Sequence, residues 1–242
     1  MERRLRRGPP PFRLWAALAP AAAAPAGLAT LYFGLLSGDP SARLLYGAAK
    51  AFLLLWPLAA SRLLLEERGF PRWDGDFSAR GPCLRALGEG LASGLALGVL
   101  LWVLSRTVLA GTLAAAAPVL RQKALEFGVA GHYGLFAVAA SLFHATAEEY
   151  YWRWFLFGRL RRLWPPWAAH GGAAAAFAAH HVLVAAVLLP GGPGVLLGGA
   201  TGLAGLFWSL LYARHRNLVG AWASHLSADL SLFAVGWRLL AP

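Results

Sequence analysis

Residues 133–157 read YGLFAVAASLFHATAEEYYWRWFLF. The stretch is long enough to cross a hydrocarbon core of about 30 Å as a helix, yet it carries His144, Glu148, Glu149 and Arg153. Ionisable side chains are costly against lipid, so in such a segment they face a bundle interior and mark function. The stretch therefore predicts an all-α, polytopic transmembrane helical bundle with a polar centre. The rest of the chain agrees: 242 residues, 58% hydrophobic, only 14% charged, with 11 Trp, well outside the usual make-up of a soluble domain. Apolar runs at 14–36, 44–65, 87–104, 133–157, 168–189, 195–212 and 218–240 give seven spans. A weaker helix between 114 and 128, with Arg121, Lys123 and Glu126, reads as an interfacial eighth.

The formal net charge of +11 falls between apolar runs rather than along a soluble amphipathic face. It points to the lipid bilayer, not to nucleic acid. Most Lys and Arg lie on one side if the N-terminus is cytoplasmic: Arg3, Arg4, Arg6, Arg7 and Arg13; Arg62, Arg68, Arg72, Arg80 and Arg85; Arg159, Arg161 and Arg162; Arg214 and Arg216. That asymmetry predicts a multi-pass protein with residues 1–13 as a basic cytoplasmic tail and residues 14–130 as N-terminal membrane helices. The first apolar run is too long for a signal-peptide core and a second follows at once, so it reads as a retained anchor. Pro-rich stretches 8–11, 164–167 and 190–194 read as turns. A single cysteine, Cys83, leaves no intrachain disulfide and no cysteine metal cluster.

Three short patterns carry the chemistry: Glu148-Glu149 with Arg153, Phe177 with His181, and His225 with Asp229. Residues four apart share a helix face, so Glu149 pairs with Arg153, Phe177 shares the face of His181, and His225 points the way of Asp229. At about 1.5 Å rise per residue, Glu148, His181, His225 and Asp229 sit at overlapping depths of roughly 10–20 Å from one rim. A carboxylate withdrawn from water is a better base, a neutral imidazole beside it can hold a water, and a second imidazole can donate to an oxyanion. That set hydrolyses amides. His144, one turn before Glu148, shares its face and reads as a tuning or substrate-contacting group. His180 points about 100° away from His181 and reads as off the site. His132 and His170 read as interfacial, Glu89 as a partly buried helix-end residue, and Ser141 as lacking a partner for nucleophilic work.

In that order on successive apolar segments, Glu148-Glu149-x-x-x-Arg153, Phe177-x-x-x-His181 and His225-x-x-x-Asp229 resemble the CPBP group, the intramembrane peptidases that include type II CAAX prenyl endopeptidases and bacteriocin-immunity proteins. The run Gly205-Leu206 through Leu211-Tyr212, Arg214, Asn217-Leu218 and Trp222 adds to the resemblance. It implies a CPBP-like catalytic core over residues 131–242. Glu148 is then the general base, His181 the second water-binding group, and His225 with Asp229 the oxyanion side. Glu149 and Arg153 form a structural pair and Phe177 packs. The last motif of the group often ends in Asn; with Asp229 here, the expected role shifts to orienting His225 and favouring its charged form, or Asp229 is itself protonated.

Glu148, His181 and His225 could also supply three zinc ligands, but there is no His-Glu-x-x-His pattern, and the resemblance implies a glutamate-type peptidase without a catalytic metal or other cofactor. A non-proteolytic binding or immunity scaffold is the alternative. A proton-relay transporter lacks the expected repeated half. The implied substrate is a membrane-anchored protein or lipidated peptide. An Ala-, Gly- and Arg-rich composition with almost no Lys suggests a bacterium with GC-rich DNA, and hence the cytoplasmic membrane; residues Glu148 to Phe157 resemble the myxosortase branch of the group, which implies a role on C-terminal sorting signals.

Overall fold

The computed structural model describes residues 9–36, 39, 41–71, 80–126, 128–189 and 192–240. The basic run Arg3–Arg7, Arg72 and the turn at 190–191 lie outside them. The described residues form eight helical rods and no strand. Helix α1, Pro11–Ala29, runs into a π-helical stretch, Thr30–Leu35, and α2, Ser41–Ala59, into another, Ala60–Leu64. Helices α3, Arg80–Arg106, and α4, Ala110–Glu126, follow. Helix α5, Tyr133–Glu148, continues as a π-helix, Glu149–Phe157, and a last turn, Gly158–Leu160. Helices α6, Pro166–Leu188, α7, Gly192–His215, and α8, Val219–Leu240, complete the bundle.

The rods begin and end where local chemistry directs. Pro11 and Pro166 open α1 and α6 at positions where no backbone donor is needed. Asp39 accepts from the Ser41 amide at 2.7 Å ahead of α2, and Asn217 from the Val219 amide at 3.0 Å ahead of α8. Arg216, at φ 55°, turns the chain out of α7 through the left-handed region. Pro25 has no N–H for the Ala21 carbonyl one turn earlier. The Tyr151 hydroxyl donates to that carbonyl at 2.7 Å and so ties α1 to the centre of the bundle.

Among the described residues, five helices are long and apolar enough to cross a membrane: Pro11–Leu35, Leu44–Leu64, Cys83–Arg106, Pro166–Leu188 and Gly192–His215. The chain is a multi-pass membrane protein. The expected spans at 133–157 and 218–240 are helical but fall short of that apolarity, because they carry the ionisable residues. Glu148 to Arg153 and Phe155 to Phe157 are all buried, and α8 touches α3, α4, α5 and α7. The expected interfacial helix is α4, which lies along α8; Arg121 donates to the Leu239 carbonyl at 2.9 Å and satisfies the end of α8.

Two seams of small residues set the spacing of the rods. Gly194, Gly198, Gly202 and Gly205 of α7 lie against α6, where a Cβ would approach Leu189 O, Val182 Cα, Ala178 Cβ and Phe177 Cδ1 to 2.1, 2.4, 2.8 and 2.7 Å. A Cβ added at Gly90, Gly94 or Gly98 of α3 would stand 2.4, 2.6 or 2.3 Å from Gly220 O, Ser227 Cβ or Ser231 Oγ of α8. Without a hydrophobic drive between helices in lipid, this close approach is what holds them together, and it presses α6 and α8 onto α5.

Candidate active site

The site is centred on the point where α5 passes from α- to π-helical winding, between Glu148 and Glu149. A π-turn is wider than an α-turn and is often found at functional sites. Here both consecutive carboxylates are buried, each 1% exposed. The expected i to i+4 pair forms, with Arg153 Nη1 2.9 Å from Glu149 Oε1. The Arg153 guanidinium is sandwiched by Phe177 at 4.6 Å and Trp208 at 5.0 Å from the ring centroids, and Nη2 donates to the Gly205 carbonyl at 3.3 Å. A Cβ at Gly205 would strike Phe177 Cδ1, so only glycine lets α7 come this near.

Glu149 does more than hold Arg153. Its Oε1 also lies 2.7 Å from Nδ1 of His225 on α8. The His225 ring is stacked on Trp208, centroids 4.0 Å apart and planes within 13°. Trp208 in turn donates from Nε1 to Ser224 Oγ at 3.0 Å, and Ser224 Oγ is 3.1 Å from Ser93 Oγ on α3. With Nδ1 and one ring face taken, His225 presents Nε2 towards Glu148, 3.9 Å from Oε2.

Asp229, expected to orient His225, lies between two imidazoles. Asp229 Oδ1 stands 3.6 Å from His225 Nε2 without a hydrogen bond, while Oδ2 lies 2.9 Å from His144 Nδ1. Glu149 takes the orienting role because the π-turn swings its carboxylate under the imidazole. A helical i to i+4 relation places Asp229 on the same face as His225 but does not aim its oxygens. His144, read as a tuning or contacting residue, bridges Asp229 and Glu148, with Nε2 3.1 Å from Glu148 Oε1. His180, read as off the site, is corrected: its Nε2 is 3.5 Å from the same oxygen, and its ring lies parallel to Trp152 at 5.2 Å. On α6 alone His180 points away from His181, but α5 passes beside α6 on the flank where His180 points.

His181 donates from Nδ1 to the Phe177 carbonyl at 2.9 Å, which leaves Nε2 as an acceptor. Donor atoms of His144, Glu148 and His181 lie within 4.8 Å of one another. Glu148 Oε2 is buried and has no hydrogen-bond partner among the described residues; Glu149 Oε2 and Trp152 Nε1 share that condition. His170, expected at the interface, bonds Ser209 Oγ at 2.6 Å and ties α6 to α7. Glu89 joins His215 at 2.9 Å and Arg85 at 3.0 Å, away from the site. Trp208 and Trp152, which wall the cluster, were missed by sequence reasoning. The signal for Trp208 was its place three residues after Gly205, on a glycine seam that recurs every three or four residues.

Two sets are spaced to hold a metal: His144 with Glu148 and His181, and His144 with His225 and Asp229. Glu148, His181 and His225, which by residue type could supply three zinc ligands, form neither of these sets. In both sets the His144 nitrogens already face carboxylates at 2.9 and 3.1 Å, as hydrogen-bonding partners do.

Residues 130–231, which contain every member of this cluster, match the family model of the type II CAAX prenyl endopeptidases of the Rce1-like kind. Comparison with curated proteins and with solved structures gives no match. The segment of the chain that builds the buried carboxylate and histidine cluster is therefore the part that is similar to the Rce1-like type II CAAX prenyl endopeptidases.

Proposed function

We propose that the chain is an intramembrane endopeptidase that hydrolyses a peptide bond in a membrane-anchored or lipidated protein with an activated water. The observation that carries this reading is the free Oε2 of Glu148, buried and facing His225 Nε2 at 3.9 Å. Glu148 Oε2 takes a proton from water, held also by His181 Nε2. The hydroxide oxygen bonds to the scissile carbonyl carbon. The carbonyl oxygen becomes an oxyanion that accepts from His225 Nε2–H, while His225 Nδ1–H donates to Glu149. As the C–N bond breaks, Glu148 returns its proton to the leaving amine. Arg153 neutralises Glu149 and fixes it beneath His225. No metal enters this scheme. Processing of C-terminal sorting signals in a bacterial cytoplasmic membrane, with the N-terminus inside, suits a site reached from lipid.

Membrane proteomes of cells carrying the wild-type chain and the Glu148→Ala variant test the proposal. The expected result is a protein that keeps a C-terminal segment only in the variant. Equal processing in both, with the variant present in the membrane, would sink it.

A further inference from the structure

Resting on the reading of Glu148 as the base, we propose that His144, held in place by Asp229, is the positioning residue that decides which oxygen of Glu148 does the work. A carboxylate turns readily about its last torsion, where the two oxygens are equivalent by symmetry. Something must break that equivalence if one oxygen is to face the water. In this structure both neighbours that engage Glu148 engage the same atom: His144 Nε2 at 3.1 Å and His180 Nε2 at 3.5 Å, each from Oε1. Oε2 is left buried and without a hydrogen-bond partner among the described residues, with His225 Nε2 3.9 Å away.

The clamp is itself anchored. His144 sits one turn before Glu148 on α5, and its Nδ1 faces Asp229 Oδ2, on α8, at 2.9 Å. Its ring stands edge-on to His225, centroids 5.5 Å apart and planes at 79°. A flip of the imidazole would lose both carboxylate contacts at once. Asp229 thus acts on Glu148 through His144, although it lies one turn from His225 and was expected to serve it. The series Asp229, His144, Glu148 joins α8 to α5 on the more open flank of the cluster, where the His144 side chain is 30% exposed, against 1% for Glu148. Glu149 and Arg153 hold His225 from the closed side.

The test uses a quenched peptide copying the cut site of the protein that accumulates with Glu148→Ala, cleaved by purified full-length chain in detergent micelles. His144→Ala is expected to lower kcat about 10²-fold, the effect of losing alignment at a reacting group, with KM within about twofold. Asp229→Ala is expected to fall as far, and Asp229→Asn, which keeps an acceptor for Nδ1–H, to recover most of the rate. The combination His144→Ala with Asp229→Ala is expected to be no slower than either alone, roughly 10²-fold rather than the roughly 10⁴-fold of independent residues. Added imidazole should restore part of kcat in His144→Ala and nothing in Asp229→Ala. If His144→Ala does not accumulate, His144→Asn carries the same comparison. Multiplicative losses would assign Asp229 to His225 or the oxyanion and overturn the clamp, as would wild-type kcat in the histidine variants. If no protein accumulates with Glu148→Ala, the endopeptidase reading falls, and the clamp with it.

Discussion

Gly198→Ala probes the seam that places the histidines of α6. A Cβ at this position would stand 2.4 Å from Val182 Cα, 2.7 Å from Val182 N and 2.9 Å from His181 O. All three are backbone atoms, so no side chain can swing aside. Ordinary contact begins at 3.4 Å, which asks α6 to withdraw by about 1 Å. His180 and His181 ride on that part of α6. His180 Nε2 is already 3.5 Å from Glu148 Oε1, and a further shift of that size removes it from hydrogen-bond reach. Misalignment of about 1 Å costs on the order of 10² in kcat. Overpacking costs about 1–3 kcal/mol of stability, offset in part by about 1 kcal/mol of helix propensity. Gly199 supplies the control, since nothing lies within 4 Å of a Cβ there, and Gly199→Ala should be silent or slightly stabilising. Cleavage of the quenched peptide and thermal unfolding followed by tryptophan fluorescence, both in micelles, read the two quantities. Equal kcat and equal Tm in the two variants would refute the close packing of α6 on α7 as the device that sets the site.

Three further outcomes are expected. Tyr151→Phe leaves the Ala21 carbonyl, already deprived of a donor by Pro25, without its 2.7 Å bond; a loss of about 1–3 kcal/mol should follow. Pro25→Ala in that background should return most of it, and no rescue in the unfolding curve would show that the proline is not the cause. Arg153→Ala strips the buried Glu149 of its counter-charge and should cost about 3–5 kcal/mol. Arg153→Lys should recover only part, because the flat guanidinium also lies between Phe177 and Trp208, and a variant Tm equal to wild type would contradict this. Exhaustive dialysis against a strong chelator should leave the cleavage rate unchanged, whereas loss followed by rescue with zinc would replace Glu148 as sole activator with a metal held by His144, Glu148 and His181.

Much of this site was legible along the chain because helical periodicity is a local rule. The i to i+4 spacing put Glu149 against Arg153, Phe177 beneath His181, and His144 on the face of Glu148, and the structure has those contacts. The same rule told only part at Asp229: it put Oδ1 3.6 Å from His225 Nε2 but left unsaid that Oδ2 would lie 2.9 Å from His144 Nδ1. It failed at His180 because one helix cannot say what stands beside it. Trp208 looked like any tryptophan of an apolar run until α7 was laid along α5 and α8.

Composition and hydropathy alone determined that this is an all-helical membrane protein, because lipid leaves no other way to satisfy the backbone here. The ionisable residues inside those helices marked where its chemistry lies. Only the tertiary structure decided how the charges are shared. Two glycine seams draw α6 and α8 against a π-turn in α5, Glu149 serves His225, and Asp229 serves His144. One oxygen of Glu148 is left free. Those pairings depend on distances between helices far apart in sequence, and distances of that kind are set by packing rather than by periodicity.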